Sequence, residues 1–213
     1  MSRSKFASLI IAQFLLLGCV PEEPGVKPSA TSKLDLYSYE NVIIQHSKRG
    51  LSPGSEIEFK KFKASNGYYG AFAVNFAEDI ATWASNHSLQ EAKKQTLGVC
   101  KLKSRNKNGC IVYASITPKG YSPKNGTLTL SRTATIELNS EIANRIYSKN
   151  HGALAINNIS GGGWATRDSK DLAMGAAIEE CDKVGKGTME KTSRTWKKYL
   201  KPHHFKCKIV YSD

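Results

Sequence analysis

One pattern is written twice in this chain, and it limits the fold more than any other feature of the sequence. The first copy reads Gly70-Ala-Phe-Ala-Val-Asn75, then Trp83-Ala-Ser85, then Ser88 and Ala92. The second reads Gly152-Ala-Leu-Ala-Ile-Asn157, then Trp164-Ala-Thr166, then Ser169 and Ala173. In both, tryptophan to serine is five positions, serine to alanine four, and alanine to a cysteine, Cys100 or Cys181, eight. A second cysteine follows: Cys110 with Ile111-Val112-Tyr113 behind it, and Cys207 with Ile209-Val210-Tyr211. A small unit that cannot bury its own apolar face gains a core by packing against a copy of itself.

The Gly-Ala-apolar-Ala-apolar runs are rich enough to be buried strands. Asn75 and Asn157 begin a turn, which Gly161-Gly162-Gly163 supply in the second copy. A phosphate cradle would need GxGxxG spacing or a following lysine-serine pair, and neither is there. Trp83-Ala84-Ser85 and Trp164-Ala165-Thr166 read as the second strand. Ser88-Leu89-Gln90-Glu91 has capping-box spacing, while the second helix starts on Asp168 or Ser169 with Asp171 favouring its dipole. Leu89, Ala92, Thr96, Val99 and Cys100 then recur at three and four, as do Leu172, Ala173, Ala176, Ala177 and Cys181. The cysteine is expected at the helix end. Glu179 and Glu180, as helix neighbours, point about 100° apart and read as solvated charge rather than paired catalytic carboxylates. Ile111 to Ile116 and Ile209 to Tyr211 are the last strands. If both copies fold alike, Cys100 pairs with Cys110 and Cys181 with Cys207.

This order of small-apolar strand, Trp strand, Ala-rich helix ending in Cys, and later Cys before an apolar strand resembles a small secreted bacterial domain of unknown function, number four-one-eight-nine. The resemblance covers about 70–118 and 147–213. It implies fold and export and adds no reaction. The expected fold class is α+β: two tandem strand-strand-helix-strand repeats, each stapled by a disulfide and packed as a pseudo-symmetric pair. Repeat one spans about 66–118, a connecting segment 119–146, and repeat two 147–213. Strands are expected at Thr127–Leu130 and Ala134–Leu138, after an Asn125-Gly126 turn, and a helix over Ser140–Lys149 with Ile142 and Ile146 inward. Asn41–Gln45 and Glu56–Phe62 read as two more strands.

The start of the chain stands apart from the fold. Arg3 and Lys5 precede a run from Phe6 to Leu17, apolar apart from Ser8 and Gln13 and too short to span a membrane. With Gly18 before Cys19 it resembles a bacterial lipoprotein signal over 1–18, cut before Cys19, which then carries lipid. Val20 stands where an aspartate would retain the protein at the inner membrane, so the expected location is the outer membrane, facing the periplasm. Residues 19–35, with Pro21, Pro24 and Pro28, read as a tether, and 36–213 as the globular domain. The formal net charge is +13, and +11 once Arg3 and Lys5 leave with the signal. An exported basic chain meets anionic lipid, acidic envelope polymers or acidic proteins rather than nucleic acid.

The copies differ most between their cysteines, where nine residues separate Cys100 from Cys110 and twenty-five separate Cys181 from Cys207. The insertion holds the candidate binding residues Arg194, Trp196, Lys197, Lys198, Tyr199, Lys201 and Phe205, aromatic and cationic groups able to stack on and neutralise an acidic partner. The competing reading makes it a helix stopped by Pro202, with Met189, Trp196 and Leu200 covering the core. His203 and His204 beside Cys207 do not make a metal site if a disulfide consumes the thiol. No GxSxG or HExxH spacing occurs, and His46, His87 and His151 are isolated among polar residues and read as surface histidines. No catalytic residue, metal or cofactor is expected. The expected function is lipid-anchored binding in the cell envelope, led by an immunity or inhibitor protein against an envelope-directed toxin. A binder of anionic envelope polymer or lipid is the first alternative, and an envelope hydrolase the second.

Overall fold

Alternating alanine with a larger apolar residue gives a strand one flat face that a helix can approach closely and one bulky face that fills space. In the computed structural model, which describes residues 40–65, 67–122, 129–145, 150–159 and 161–212, both such runs are central strands. The signal over 1–18, the lipidation site Cys19, the tether over 19–35 and the Asn125-Gly126 turn lie outside the described residues. Strand β2 (Tyr69–Asn75) turns into β3 (Ile80–Asn86), helix α2 (Leu89–Lys103) crosses the sheet, and β4 (Cys110–Pro118) returns on the other side of β2. Likewise β5 (His151–Ile156) lies between β6 (Gly162–Arg167) and β7 (Lys208–Ser212), with α4 (Lys170–Lys191) as the crossover. Strand β1 (Asn41–Gln45) adds to β4, so the two sheets run β1-β4-β2-β3 and β6-β5-β7. The protein is thus α+β, with disulfides joining Cys100 to Cys110 and Cys181 to Cys207. By the chain-entropy relation each contributes about 3 kcal/mol.

The flat faces receive the crossover helices. Ala73 packs with Cys100 and Cys110, and Ala153 and Ala155 pack with Ala173, Ala177 and Cys181. The bulky faces receive a helix each as well, which corrects two expectations. Glu56–Phe62 belongs to α1 (Pro53–Ala64), whose Phe59 and Phe62 meet Phe72, Val74 and Tyr113. Ala134–Leu138 belongs to α3 (Arg132–Arg145), whose Ala134 and Leu138 join Leu130 over Leu154 and Ile156. Leu130 lies in no strand, α3 already includes Ile142, and Ile146 lies outside the described residues. Each sheet is therefore held between two helices, and all four of these helices begin on a serine. Ser52, Ser88, Ser131 and Ser169 each accept a backbone N–H three residues on, at 3.1 to 3.4 Å. Such a cap is worth about 1 kcal/mol.

Register follows the cysteines rather than the Ile-Val-Tyr triplets. Val112 pairs with Ala73 and Ile209 with Ala155, and both ladders shift at the same place, between Phe72 and Ala73 and between Leu154 and Ala155. The triplets are therefore one residue out of step. Because a bulge puts two successive residues on one face, Tyr113 and Tyr211 still each reach the bulky-face cluster of their own sheet.

Three further details depart from expectation. Helix α4 does not end at Cys181 but continues to Lys191, and Leu172 in its first turn is exposed. Only Gly161 belongs to the β5–β6 turn, for Gly162 and Gly163 are already in β6. Gly163 serves a close approach: a Cβ there would collide with Cys181 N and Ala177 O, both backbone atoms of α4. Its counterpart in the first sheet is Thr82, whose hydroxyl donates instead to Thr96 O at 3.1 Å. Gly163→Ala is expected to cost about 3 kcal/mol by forcing helix and sheet apart. Gly175→Ala, in open space on the same helix, is expected to gain up to about 1 kcal/mol. Urea midpoints of the two variants check both signs.

Candidate functional site

The inserted segment lies against the first sheet's unit, and this separates its aromatic residues from its cations. After α4 ends, the chain breaks at Thr192-Ser193, forms α5 (Arg194–Tyr199) and α6 (Pro202–Phe205), and enters β7. Tyr199 rests on α2: a Cβ on Gly98 would run into its ring, and its hydroxyl donates to Lys94 O at 3.4 Å. Burial is the main cause that raises the Tyr199 hydroxyl above its ordinary pKa, with the Glu91 carboxylate adding to it. Phe205 is half-buried beside Gly185 of α4, and Leu200 is buried. Arg194, Lys197, Lys198 and Lys201 are exposed. None of the four enters an ion pair among the described residues, although Lys197 Nζ donates to Glu190 O at 3.2 Å. The seven candidate residues thus do not form one exposed patch. Cys207 is bound in its disulfide, so it offers His203 and His204 no free thiolate.

Trp196 faces a cleft of about 640 Å³ between the two units. Residues 81–85 of β3 form one side of it, and Thr188, Thr192, Ser193 and Trp196, all from the insertion, form the other. Glu58 of α1, Gln95 and Lys103 of α2, Ile159 after β5 and Leu200 after α5 complete the lining. Glu58 is held below the usual carboxylate range, first by the Lys61 ammonium at 2.6 Å; burial opposes this, and the Trp83 indole N–H and Lys103 add to it. Phe62 packs on the Trp83 ring at 6.3 Å between centroids. Sequence reasoning placed Trp83 only as a strand residue, and passed over Glu58, Gln95 and Ser193. One signal was present at Gln95, which stands where the second copy has Ala176 on the same helix stripe. The more direct signal was the insertion itself, which had to pack on something.

The junction beneath the cleft is polar and buried. The Asn86 amide donates to Asn158 O at 2.7 Å, the Gln95 amide donates to the same oxygen, and Asn158 N–H donates to His204 O at 3.0 Å. His87 is not a surface residue but is 5% exposed at the meeting point of three segments. Ser131 N–H donates to its Nδ1 at 3.0 Å, which leaves the ring proton on Nε2, 3.1 Å from Gly161 O. The Thr129 hydroxyl donates to its backbone oxygen at 2.6 Å. His46 is exposed with Nε2 2.9 Å from Ser115 Oγ, and His151 opens β5, half-buried and not isolated.

Burial is the largest cause that pushes the His87 pKa down to about 4; the Gly161 carbonyl opposes this and Lys208 adds to it. The unfolded imidazole takes up a proton near its ordinary 6.5. Between those values the unfolded chain holds the extra proton, so the stability is complete above pH 6.5 and is lost as pH falls toward 4, about 3 kcal/mol in all.

No family model matches the chain, and no curated protein or solved structure matches it either. The site therefore stands on its own geometry. His87→Gln, whose amide does not titrate, is expected to flatten the fall of the urea midpoint between pH 7 and pH 4.5 relative to the parent chain.

Proposed function

We propose that this protein is a binding protein of the bacterial cell envelope, anchored by lipid on Cys19 at the outer membrane and facing the periplasm, and that it holds another protein as an inhibitor or immunity protein holds its target. The observation that carries this reading is the cleft whose second wall comes from the insertion. The segment that one unit has and the other lacks is folded against the first unit so as to wall one side of an open cleft of about 640 Å³, within the range of binding clefts. The two disulfides support an oxidising compartment. Among the described residues no helix is long and apolar enough to cross a membrane, and attachment in this reading is through the lipid. The likeness of both units to domain of unknown function four-one-eight-nine, and their origin by duplication, belong to the same proposal.

A second reading is favoured by one observation. Arg194, Lys197, Lys198 and Lys201 face solvent, as a binder of anionic envelope polymer or lipid would require. The two readings differ in salt dependence, since exposed charge is screened within about 8 Å at physiological ionic strength. The chain from Val20 onward, disulfides intact, is used to capture ligands from envelope and secreted fractions at low and high salt. A single protein retained at high salt, whose toxic or lytic activity falls on binding, is the expected result. Capture of glycan or lipid only, lost at high salt and in a variant with the four cations changed to glutamate, would select the second reading.

A further inference from the structure

We propose that the cleft takes an extended polypeptide segment as an added strand on the open edge of β3. The inference rests on the protein-binding reading above and names how the partner is held. Strand β3 ends its sheet, while the far end is occupied by β1. The successive residues 81–85 all line the cleft. Side chains of a strand alternate between faces, so a space that meets successive residues lies along the strand's edge. Over 81–84 the outward backbone N–H and C=O groups have no backbone partner among the described residues.

The surroundings suit a strand rather than a compact ligand. Main-chain bonds along an edge give affinity, and pockets for alternate side chains give specificity. Trp83 and Trp196 on either side of the cleft supply apolar surface for such side chains; on the far wall stand Ser193 and also Thr188 and Thr192, whose hydroxyls donate to Val184 O and Thr188 O and keep only acceptor capacity. The one carboxylate in the lining, Glu58, is already paired with Lys61 at 2.6 Å. With Glu58 so paired, Lys103 leaves the lining a net positive charge, and exposed Lys197 and Lys198 follow Trp196 on α5. The segment it fits is therefore extended, apolar at alternate positions and acidic at one end. The walls also shield an edge that would otherwise invite pairing between copies.

The test uses the disulfide-intact chain from Val20 and a displayed library of random seven-residue peptides. Enriched peptides should alternate apolar residues and carry an acidic residue. They should slow amide exchange across 81–85 and lose binding when alternate backbone nitrogens are methylated. Ser193→Trp should weaken them about tenfold or more by filling the cleft; Ser193 makes no side-chain cap bond to lose. No enrichment, or binding that leaves β3 exchange unchanged, overturns the proposal, and the exchange readout on the parent chain decides the matter even if the variant fails to fold. Wall saccharide that occupies the cleft without slowing β3 amides also overturns it. An envelope protein captured equally by the parent and by Ser193→Trp would keep the binding function and remove this site. Peptides held along β3 with no envelope protein captured would keep the site and remove the inhibitor reading.

Discussion

Tyr199 lies on the bare backbone of Gly98, and the arrangement of the inserted segment depends on that contact. A glycine inside a helix costs about 1 kcal/mol relative to alanine, yet any side chain at Gly98 would collide with the ring. The tyrosine hydroxyl reaches Lys94 O one turn earlier in α2. Through this contact α5 is held on the first unit although α4, which leads into it, belongs to the second. Trp196, edge-on to Tyr199 with centroids 6.0 Å apart, is thereby set over β3. The cleft has a second wall because one ring fits against one missing side chain.

Beneath that contact the two units meet through matched polar groups. Buried amides and imidazoles are costly unless each finds a partner, and Asn86, His87 and Gln95, all nearly inaccessible, find theirs in the second unit or the connecting segment. Such a junction admits one relative placement, because a shift would leave several groups unpaired. The insertion has a cost elsewhere. In the first unit the Asn75 amide donates to Glu78, Ser104 and Asn106, the latter two just past the end of α2. In the second, α4 runs on through that region, and the Asn157 amide nitrogen has no partner among the described residues.

Much of the fold was legible because it rests on local, repeated signals: the alanine alternation, the serine caps, and cysteines whose spacing chose their own pairing. The two helices read as strands failed for one shared reason. Ile57 and Phe59 in α1, and Ala134, Ile136 and Leu138 in α3, alternate as strand residues do. In the structure Ile57 and Ile136 are exposed, and the buried residues are Phe59 with Phe62 and Ala134 with Leu138, at helical spacing. One exposed isoleucine in each helix completed a false alternation. The site was legible only as a region. The insertion marked where the copies diverge, but its partners, Trp83, Glu58 and Lys103, lie roughly a hundred residues away, and long-range packing leaves no local pattern. The buried state of His87 was hidden for the same reason.

Docking of the insertion on the first unit through Tyr199 and Gly98 is tested most directly by a double-mutant cycle of Gly98→Ala and Tyr199→Ala, read by urea denaturation. Such docking predicts that Gly98→Ala destabilises the parent chain but stabilises the Tyr199→Ala chain by up to about 1 kcal/mol, a coupling of about 1 kcal/mol or more. If Gly98→Ala stabilises both chains equally, the ring does not lie on the helix, and the second wall of the cleft is not held over β3.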